Sequence, residues 1–374
     1  MNILNRDLHI IALNIPYPPD YGGIIDCFHR IRLLHYIGIN IHLHCFEYGR
    51  EHSRVIESLC RTVNYYPRDI SFIKQISFIP YSVISRGSKQ LLENLTKDDF
   101  PILFDGIQTT LYLGHSSLTG RNKIVRVHNI EHSYYNTLAE YEKNPAKKLY
   151  YFIESLKLKY YETILARATT LLTVSQIDQD HFETRYHNSE IVPSFHPYDQ
   201  IEILPGTGQY ILYHGDLSIN ENVTISEYLI SEIFSKIPFQ CIIAGKNPPK
   251  HLQDKASFYN NISLIANPRE ENMSRLIKEA QINVLPTRAA NGLKLKLLLS
   301  LFSGRHCLVN STTISGTGLD KLCQVADSGE EMIRKIHDLM AIPFTVEMIA
   351  DRKKVLSENN DNLSNAKKIE KLII

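Results

Sequence analysis

The sequence predicts an α/β protein made of two doubly wound domains that face each other across a cleft. The chain has 374 residues, which is enough for two domains of ordinary size. Short apolar runs rich in Ile, Val and Leu alternate with longer amphipathic segments, as strands and helices do around a parallel sheet. This alternation occurs twice, and a stretch rich in proline and glycine separates the two copies.

Each predicted strand is a short apolar run bounded by polar or turn-forming residues. In the first half, such runs predict strands near 8–14, 39–46, 101–105, 123–129 and 169–175. In the second half, they predict strands near 210–215, 240–245, 261–266, 282–286, 306–310 and 322–326. The longer segments between them are predicted to be helices that cover both faces of each sheet.

The domain boundary is predicted in a segment that has neither helical nor strand periodicity. The prolines and glycines that cluster there are Pro193, Pro197, Pro205, Gly206 and Gly208. We therefore assign residues 1–204 to an N-terminal domain and residues 205–374 to a C-terminal domain. The segment 357–374 lies beyond the last predicted strand and is helix-compatible, so a return of this helix to the N-terminal domain is an open expectation.

Composition excludes several classes of protein. Hydrophobic residues make up 43% of the chain and charged residues 22%, which argues against disorder. The formal net charge of +1 gives no general reason to expect nucleic-acid binding. The six cysteines lack metal-ligand spacing, so we expect reduced core residues. Because no signal pattern or long apolar run is present, we expect a cytoplasmic location, with contact at the inner face of a membrane left open.

A pair of glycines follows the first predicted strand. In IPYPPDYGGIIDCFHR, Gly22 and Gly23 open a predicted helix. Paired glycines let a ligand approach the backbone closely and leave helix N–H groups free for a phosphate or sugar oxygen. The alternative is a tight turn that requires positive φ. The spacing is not the GxGxxG of dinucleotide sites.

Polar residues also follow the strand near 123–129. The sequence RVHNIEHSYYN places His128, Asn129, Glu131 and His132 at the start of a helix. A histidine at the carboxyl end of a strand is a candidate for catalysis, and a purely structural histidine is the alternative. The HxxxH spacing suggests a metal, but no third ligand is identifiable, so we expect none.

Asp178 and Asp180 form a DxD pattern, which in other proteins can hold a divalent cation. Here the pattern follows Ser175 at the predicted start of a helix. A serine cap and acidic residues in the first turn both stabilise a helix N-terminus. We therefore expect a helix cap at this position.

Two lysines stand at the predicted N-terminus of a helix in NGLKLKLLLSLFSGRHCLVN, residues 291–310. Cations are unfavourable there by roughly 0.3–1 kcal/mol each, because this end of a helix carries partial positive charge. A diphosphate bound by the first-turn N–H groups together with Lys294 or Lys296 would reverse that cost. The alternative is a pair of solvated lysines. Lys246, at the end of another strand, can likewise reach a phosphate or remain solvated.

The motifs PPDYGG, HNIEHSYY, LLTVSQIDQDHF, YHGDLSINENV and NGLKLKLLLSLFSGRHCLVN occur in this order within residues 8–340. Together they resemble group 1 glycosyltransferases, which are family-4-like retaining enzymes of the GT-B fold. The resemblance implies two Rossmann-like domains, a nucleotide-sugar donor, and a glycan or lipid-linked acceptor. It implies no metal and no cofactor apart from the donor substrate, and the net charge gives no reason to expect a nucleic-acid partner.

The resemblance also implies roles for individual residues. Gly22 and Gly23 would meet the donor diphosphate and sugar, and His128 would lie beside the sugar hydroxyls. Gly215 and Lys296 would border the phosphates. The predicted catalytic residues are His128, Lys296 and Asn291. The predicted donor-binding residues are Gly22, Gly23, Gly215, Asp216, Lys246, Asn267, Gly292 and Lys294.

The chain departs from the family at two typical positions. Where members carry two glutamates, one near the sugar and one on the nucleotide ribose, this chain has Asn291 and Leu299. Where many members carry an arginine and a lysine, it has Asp216, Asn220 and Glu221. A leucine cannot hydrogen-bond a ribose, so either another group does so or the donor is held differently.

The leading hypothesis is a metal-independent, retaining glycosyltransferase of polysaccharide or glycoconjugate biosynthesis. Lys294, Lys296 and the N-terminus of their helix would stabilise the leaving diphosphate, while His128 and the glycine pair position the sugar. Glu131 is a candidate acceptor base. The missing glutamates support a second hypothesis, a degenerate GT-B domain that binds sugar-nucleotide or glycan without turnover. A sugar-nucleotide epimerase is a third hypothesis.

Residues 146–168 mix lysines with tyrosines and leucines in a helix-compatible stretch. Such a helix can rest against anionic lipid, which would suit a lipid-linked acceptor. The alternative is an ordinary long helix with a solvated face. The sequence therefore leaves peripheral membrane contact as an open hypothesis.

Overall fold

The computed structural model describes residues 6–288 and 295–374, with the side chain of residue 359 left out. The chain divides into two compact units, which we call unit 1 and unit 2. Unit 1 comprises Met1–Pro197 and Asn360–Ile374, and unit 2 comprises Tyr198–Asn359. The sequence places the boundary after residue 204, whereas the contacts divide the chain after Pro197 and return the C-terminal segment to unit 1.

Each unit contains one parallel sheet. The sheet of unit 1 has seven strands in the order β3-β2-β1-β4-β5-β6-β7, and that of unit 2 has six in the order β10-β9-β8-β11-β12-β13. The strands are β1 Asp7–Ala12, β2 Asn40–Glu47, β3 Thr62–Pro67, β4 Ile102–Asp105, β5 Lys123–Arg126, β6 Thr170–Thr173, β7 Ser189–Ile191, β8 Tyr210–Asp216, β9 Gln240–Lys246, β10 Ile262–Ala266, β11 Ile282–Val284, β12 His306–Val309 and β13 Gln324–Val325.

Helices connect the strands, as a parallel sheet requires. They are α1 Gly22–Tyr36, α2 Arg54–Leu59, α3 Tyr81–Ile84, α4 Lys89–Leu95, α5 Glu131–Tyr141, α6 Pro145–Tyr161, α7 Gln176–Tyr186, α8 Asn220–Tyr228, α9 Lys250–Ser257, α10 Glu270–Glu279, α11 Leu295–Ser303, α12 Ser311–Ile314, α13 Gly329–Ala341, α14 Val346–Asn359 and α15 Asn362–Ile373. Short 3₁₀ helices cover Phe72–Ile76, Ile107–Tyr112, Ser116–Leu118, Glu162–Arg167, Phe234–Lys236 and Asp320–Leu322, and a π-helix covers Leu229–Ile233.

The predicted apolar runs include every inner strand of the two sheets and also β10 and β13, the edge strands of the unit 2 sheet. Every residue of β4 and of β12 is buried, because helices cover both faces of these strands. The sequence prediction missed β3 and β7. Both lie at the ends of the unit 1 sheet and are mostly half-exposed, so they lack the continuous apolar run that marks an inner strand.

The C-terminal helix α15 shares a core with the first helix of the chain. Ala366, Ile369 and Ile373 belong to the same buried cluster as Ile31 and Leu34 of α1. The amide of Asn122 donates a hydrogen bond of 2.6 Å to the carbonyl oxygen of Leu372. Burial of this apolar stripe explains why α15 belongs to unit 1 although it follows unit 2 in the chain.

The six cysteines are all free, and the prediction of core residues is confirmed for the five that are buried, whereas Cys60 is half-buried. No helix in the described parts of the chain has the length and apolarity needed to cross a bilayer.

Candidate functional site

The carboxyl edge of the unit 2 sheet gathers four of the predicted donor-binding residues. Gly215 and Asp216 at the end of β8 pair in register with Gly245 and Lys246 at the end of β9. Asn267 follows β10, and its backbone N–H donates to the carbonyl oxygen of Gly245 at 2.8 Å. Because parallel strands end at the same edge, this is where an open α/β sheet normally binds its ligand.

Two glycines at this edge, Gly215 and Gly245, differ in how much space a side chain would find there. A Cβ at Gly245 would lie 2.0 Å from the carbonyl oxygen of Gly215, so close packing of the strands itself requires this glycine. A Cβ at Gly215 would meet only the side chain of Asn222 at 3.4 Å, a contact that a small shift accommodates. The protein's own packing therefore leaves room beside Gly215, as expected where a ligand approaches the backbone.

Lys296 lies beside the turn that follows β8. It is half-buried near the start of α11, and its Nζ is 3.4 Å from Oδ1 of Asn222 and 5.3 Å from the ring centroid of Tyr213. Nδ2 of Asn222 donates to the carbonyl oxygen of Asp216 at 2.8 Å. The structure thus places a cation next to the Gly215–Asp216 turn. The predicted residues Asn291, Gly292 and Lys294 lie outside the described residues.

An acidic residue lies in the same neighbourhood. The carboxylate of Glu221 accepts hydrogen bonds from Oγ1 of Thr287 at 2.7 Å and from the backbone N–H of Arg288 at 3.1 Å. Burial and the negative charge of Glu221 raise the pKa of Tyr213, the ring beneath Lys296. Glu221 and Lys296 therefore carry opposite charges near the same Tyr213 ring.

In unit 1, His128 belongs to a buried network of charges at the carboxyl ends of β4 and β5. Its Nε2 lies 3.1 Å from Oδ1 of Asp105, and its Nδ1 lies 3.8 Å from Oδ2 of Asp26. Arg30 bonds both carboxylates, with 2.5 Å between its Nη1 and Asp26. Arg126 bonds Asp26 from the other side at 2.9 Å. Two guanidinium groups thus balance two carboxylates.

The charges in this network keep both carboxylates ionised. Burial favours the neutral acid of Asp26, but Arg126 and Arg30 outweigh it and hold the pKa below its ordinary value. At Asp105, burial is likewise outweighed, by Arg30 and His128, and the pKa is lowered. An ionised Asp105 only accepts hydrogen bonds, so Nε2 of His128 carries the proton. Nδ1 has no hydrogen bond to either carboxylate and is the ring nitrogen left for a ligand.

Gly22 and Gly23 are the first residues of α1, and the same helix carries Asp26 one turn later. A Cβ at either glycine would meet no atom of a described residue within 4 Å, and neither glycine has positive φ. The alternative of a turn that requires positive φ therefore does not hold. The cap residue Tyr21 makes no side-chain hydrogen bond to this helix end. Both observations fit a backbone that is open to a ligand.

Glu131, the candidate base, is the first residue of α5 and is buried. Burial raises the pKa of its carboxyl group, while hydrogen bonding to Gln108 and the charge of His128 act in the opposite direction. A carboxyl group with a raised pKa can accept a proton nearer to neutral pH than an exposed one. This property keeps Glu131 as a candidate acceptor base.

His132, the second histidine of the HxxxH motif, has a different partner from His128 and shares that partner with His181. Nδ1 of His132 lies 2.9 Å from Glu162, and Nε2 of His181 lies 2.9 Å from the other oxygen of the same carboxylate. Arg185 can only donate, and it bonds Nδ1 of His181 at 2.7 Å, so the proton of His181 is on Nε2. A metal ligand nitrogen carries no proton, and the arrangement fits a hydrogen-bonded cluster better than a metal site.

The other two groups of acidic residues also fit a metal ion poorly. Asp26, Asp105 and His128 come close enough to hold a metal, but two guanidinium groups already neutralise these carboxylates. Oγ of Ser175 accepts from the backbone N–H of Asp178 at 3.2 Å at the start of α7. The predicted helix cap at the DxD pattern is therefore confirmed.

A cavity of about 300 Å³ in unit 2 lies away from these residues. It is lined in part by Gln209, Tyr210, Glu279 and Arg305, at the amino end of β8. Ligands of open α/β sheets bind at the opposite, carboxyl edge. We do not assign this cavity to the candidate site.

The sequence interpretation missed the residues that hold His128 in place. The available signal was charge inside apolar runs: Asp26 and Arg30 in GIIDCFHRIRLL, Asp105 in ILFD and Arg126 in KIVR. Charged residues are almost never fully buried unless they are paired. Four such residues at the ends of predicted strands or on one face of the first helix therefore indicate a buried ion network.

Comparison with known proteins identifies the fold. No protein-family model matches the chain. A protein of Klebsiella pneumoniae, described as an uncharacterized 44.6 kDa protein in the cps region, is 26% identical over 349 residues, which cover 88% of this chain and 89% of that protein.

Solved glycosyltransferase structures match the whole chain. Trehalose-6-phosphate synthase OtsA matches with a TM-score of 0.67 and 11% identity, covering 98% of both chains. HepE of Anabaena, solved with UDP and glucose, matches with a TM-score of 0.65 and 12% identity, covering 97% of this chain and 98% of that one. UGT89C1 of Arabidopsis thaliana, solved with UDP-L-rhamnose, matches with a TM-score of 0.59 and 12% identity, covering 98% and 99%. The predicted GT-B fold is confirmed.

Proposed function

We propose that the chain is a glycosyltransferase that moves a sugar from a nucleotide-sugar to a glycan or lipid-linked acceptor. The observation that carries this proposal is the position of Lys296 beside the Gly215–Asp216 turn, at the edge where the strands of unit 2 end. A cation at this edge, next to a glycine whose Cβ position is not blocked by backbone, suits a nucleoside diphosphate. Similar solved proteins whose descriptions name UDP or a UDP-sugar support the donor class.

The proposed mechanism uses electrostatics and positioning. Lys296 and the N-terminus of its helix stabilise the negative charge that develops on the leaving diphosphate. His128, with its proton directed to Asp105, offers Nδ1 to a sugar hydroxyl, and the Gly22–Gly23 turn gives the sugar close access to the backbone. Retention of configuration and independence of metal belong to this proposal, since the cationic groups supply the charge stabilisation.

One observation favours the second candidate, a domain that binds sugar-nucleotide or glycan without turnover. Leu299, at the position of the family's ribose-binding glutamate, packs against the apolar cluster that includes Leu212, Ala244 and Ile277. A leucine in such surroundings supplies no hydrogen bond to a ribose. Another group must therefore hold the nucleotide if the protein is an enzyme.

Binding and turnover separate these candidates. Calorimetric titration with UDP and other nucleoside diphosphates tests the donor site. Release of nucleoside diphosphate from a panel of nucleotide-sugars, with and without glycan and lipid-linked acceptors, tests transfer. Acceptor-dependent release supports the enzyme. Binding without release on any combination favours the second candidate, release of free sugar or epimer without acceptor favours an epimerase, and failure to bind any nucleoside diphosphate rejects the proposal.

Replacing Lys296 with alanine should weaken UDP binding by about 1–3 kcal/mol, or about 5–150-fold, the scale of a lost charge-assisted contact. Glu221→Gln should strengthen binding, because it removes an opposing charge while its amide oxygen still accepts from Thr287. Calorimetry measures both effects, and Lys250→Ala, at an exposed lysine of unit 2, serves as the control. Wild-type affinity in the Lys296 variant would reject its phosphate role.

We further propose that unit 1 contacts the surface of an anionic membrane. A set of large apolar side chains, which we call the apolar surface, is exposed on the segment 70–78 and on α6. Its members are Ile70, Phe72, Ile73, Ile76, Phe78, Leu149, Phe152, Ile153, Leu156 and Tyr160. Phe78 is 97% exposed. Nζ of Lys157 on α6 donates to the carbonyl oxygen of Gln75 at 2.8 Å, which joins the two parts. Exposed apolar sets of this kind mark interaction sites.

The charges of α6 favour an anionic partner. Its exposed apolar residues recur with helical spacing along one face, and its exposed charged residues are the lysines Lys147, Lys148 and Lys159. Its one acidic residue, Glu154, is buried and bonds the backbone N–H of Tyr81 and Nζ of Lys157. An apolar face bordered by lysines alone complements anionic lipid.

The double substitution Phe72→Ser and Phe78→Ser should reduce binding to vesicles of phosphatidylcholine and phosphatidylglycerol by at least about tenfold, because each ring loses its burial in the acyl region. Co-sedimentation measures the effect. Phe258→Ser removes an equally exposed ring in unit 2 and should leave binding unchanged. Equal sedimentation of the double variant and the wild type would contradict the membrane contact.

A further inference from the structure

Arg86 is a buried cation whose hydrogen bonds go to backbone carbonyl groups. It follows α3 and is only 6% exposed. Its Nε donates to the carbonyl oxygen of Leu13 at 2.9 Å, and Nη1 donates to that of Ser82. Among the described residues, no carboxylate pairs with this guanidinium. Because burial of an unpaired charge is costly, buried charges in proteins are normally paired or bind a ligand.

A second guanidinium stands close to it. Arg68 lies over the rings of Tyr48 and Tyr81, at 4.5 Å and 5.6 Å from their centroids, and its Nε donates to Oγ of Ser85 at 3.1 Å. Within the described ranges it too has no carboxylate partner. Burial and the charge of Arg68 together lower the pKa of Arg86 to about 9. Two like charges thus lie near each other, and no carboxylate of a described residue pairs with either of them.

The acidic residues of the surrounding segments form ion pairs with other cations. Each is paired with a different cation: Asp20 with Arg50, Asp69 with Lys74 and Glu154 with Lys157. The phenols of Tyr21, Tyr81 and Tyr135 are the other polar groups close enough to influence the ionisation of Arg86. The site is therefore cationic and rich in hydroxyl donors, which is the donor set that phosphate prefers.

We propose that Arg68 and Arg86 form a phosphate-binding subsite in unit 1. Arg86 donates to the carbonyl oxygen of Leu13, and the chain after Leu13 continues to Gly22 and Gly23, the first residues of α1. The subsite also adjoins the segment 70–78 of the apolar surface, since only Asp69 separates Arg68 from that segment. The backbone N–H of Asp69 donates to the carbonyl oxygen of Ser85. The identity of the ligand rests on the proposed function, under which the phosphate is part of the acceptor substrate. A soluble phosphate ester and a lipid headgroup share this chemistry.

The test measures phosphate binding while the donor site is occupied. With the protein saturated in UDP, titration with inorganic phosphate should raise the melting temperature of the wild type. Arg68→Gln and Arg86→Gln should each weaken phosphate binding by about 10–100-fold, the scale of a lost charge-assisted contact. The affinity for UDP should not change. Arg167→Gln, at an exposed arginine of unit 1, is the matched control.

Vesicles of phosphatidylcholine with and without phosphatidic acid distinguish the two sources of phosphate, a lipid headgroup and a soluble ester. Binding that depends on phosphatidic acid and on both arginines assigns a lipid headgroup, whereas a response to inorganic phosphate alone assigns a soluble ester. Without phosphate, Arg86→Gln should melt no lower than the wild type, because it removes an unpaired buried charge. The proposal is overturned if neither form of phosphate binds in a manner that depends on these arginines. UDP affinity and turnover report on the proposed function separately.

Discussion

Replacing Asp26 with asparagine should lower the free energy of unfolding by about 3–5 kcal/mol, the cost of removing one partner from a buried ion pair. Asp26 bonds Arg30 and Arg126 and also accepts from the backbone N–H of Phe195 at 2.8 Å. Asparagine keeps the shape but leaves two buried guanidinium groups with only Asp105 to balance them. Urea unfolding followed by circular dichroism measures the change.

The same network predicts a dependence on pH. The pKa of Asp26 and that of Asp105 are lowered in the folded protein, so the unfolded chain binds protons more readily. The stabilisation is therefore present above about pH 4, the ordinary pKa of aspartate, and is lost as the pH falls through the lower folded values. The Asp26 variant should lose part of this dependence.

The matched control is an ion pair on the surface. Glu232→Gln removes the partner of Lys236 where both side chains are more than half exposed, and no measurable change is expected. A loss below about 1 kcal/mol in the Asp26 variant, the range of surface ion pairs, would show that the buried network does not stabilise the fold.

Replacing His128 with alanine should reduce turnover by about 100-fold, the scale of a misplaced reacting group, with little effect on UDP affinity. The reason is that Nδ1 is the free nitrogen of a ring whose other nitrogen is held by Asp105. Steady-state kinetics with the best donor and acceptor, combined with calorimetry, separate the two effects.

His132→Ala is the matched control for this experiment. It removes a histidine of the same motif whose ring nitrogen bonds Glu162 instead of the charge network, and turnover should be retained. Parallel losses of turnover and UDP affinity in the His128 variant, with the fold intact, would contradict a positioning role. Equal losses of turnover in both variants would indicate that the histidines act only on local structure.

Sequence periodicity predicted the inner strands but not the edges of the unit 1 sheet. Inner strands such as β4 are buried on both faces and therefore appear as apolar runs. The edge strand β3 is mostly half-exposed, and its sequence TVNYYP carries no such signal. The boundary between the units differs from the prediction for a related reason, because proline and glycine mark irregular backbone while packing decides where a unit ends.

Residues at the carboxyl ends of strands were predictable because the topology of a parallel sheet brings these ends to one edge. Gly215, Lys246 and Asn267 meet in unit 2 for that reason. The partners of His128 were not predicted, since Asp26 comes from a helix more than a hundred positions earlier in the chain. The segment 70–78 also carried no signal, because its apolar residues resemble core residues until their exposure is known.

The local sequence pattern determines the order of strands and helices, because periodicity and turn chemistry act over a few residues. It also determines which glycines and polar residues follow strands. The pairing of Asp26 with two arginines, the absence of a described carboxylate beside Arg86 and the exposure of Phe78 emerge only on folding. Each of these three features depends on which residues, distant in the sequence, become neighbours in the fold. The electrostatic and hydrophobic free energies of a side chain are set by those neighbours and by its remaining contact with water.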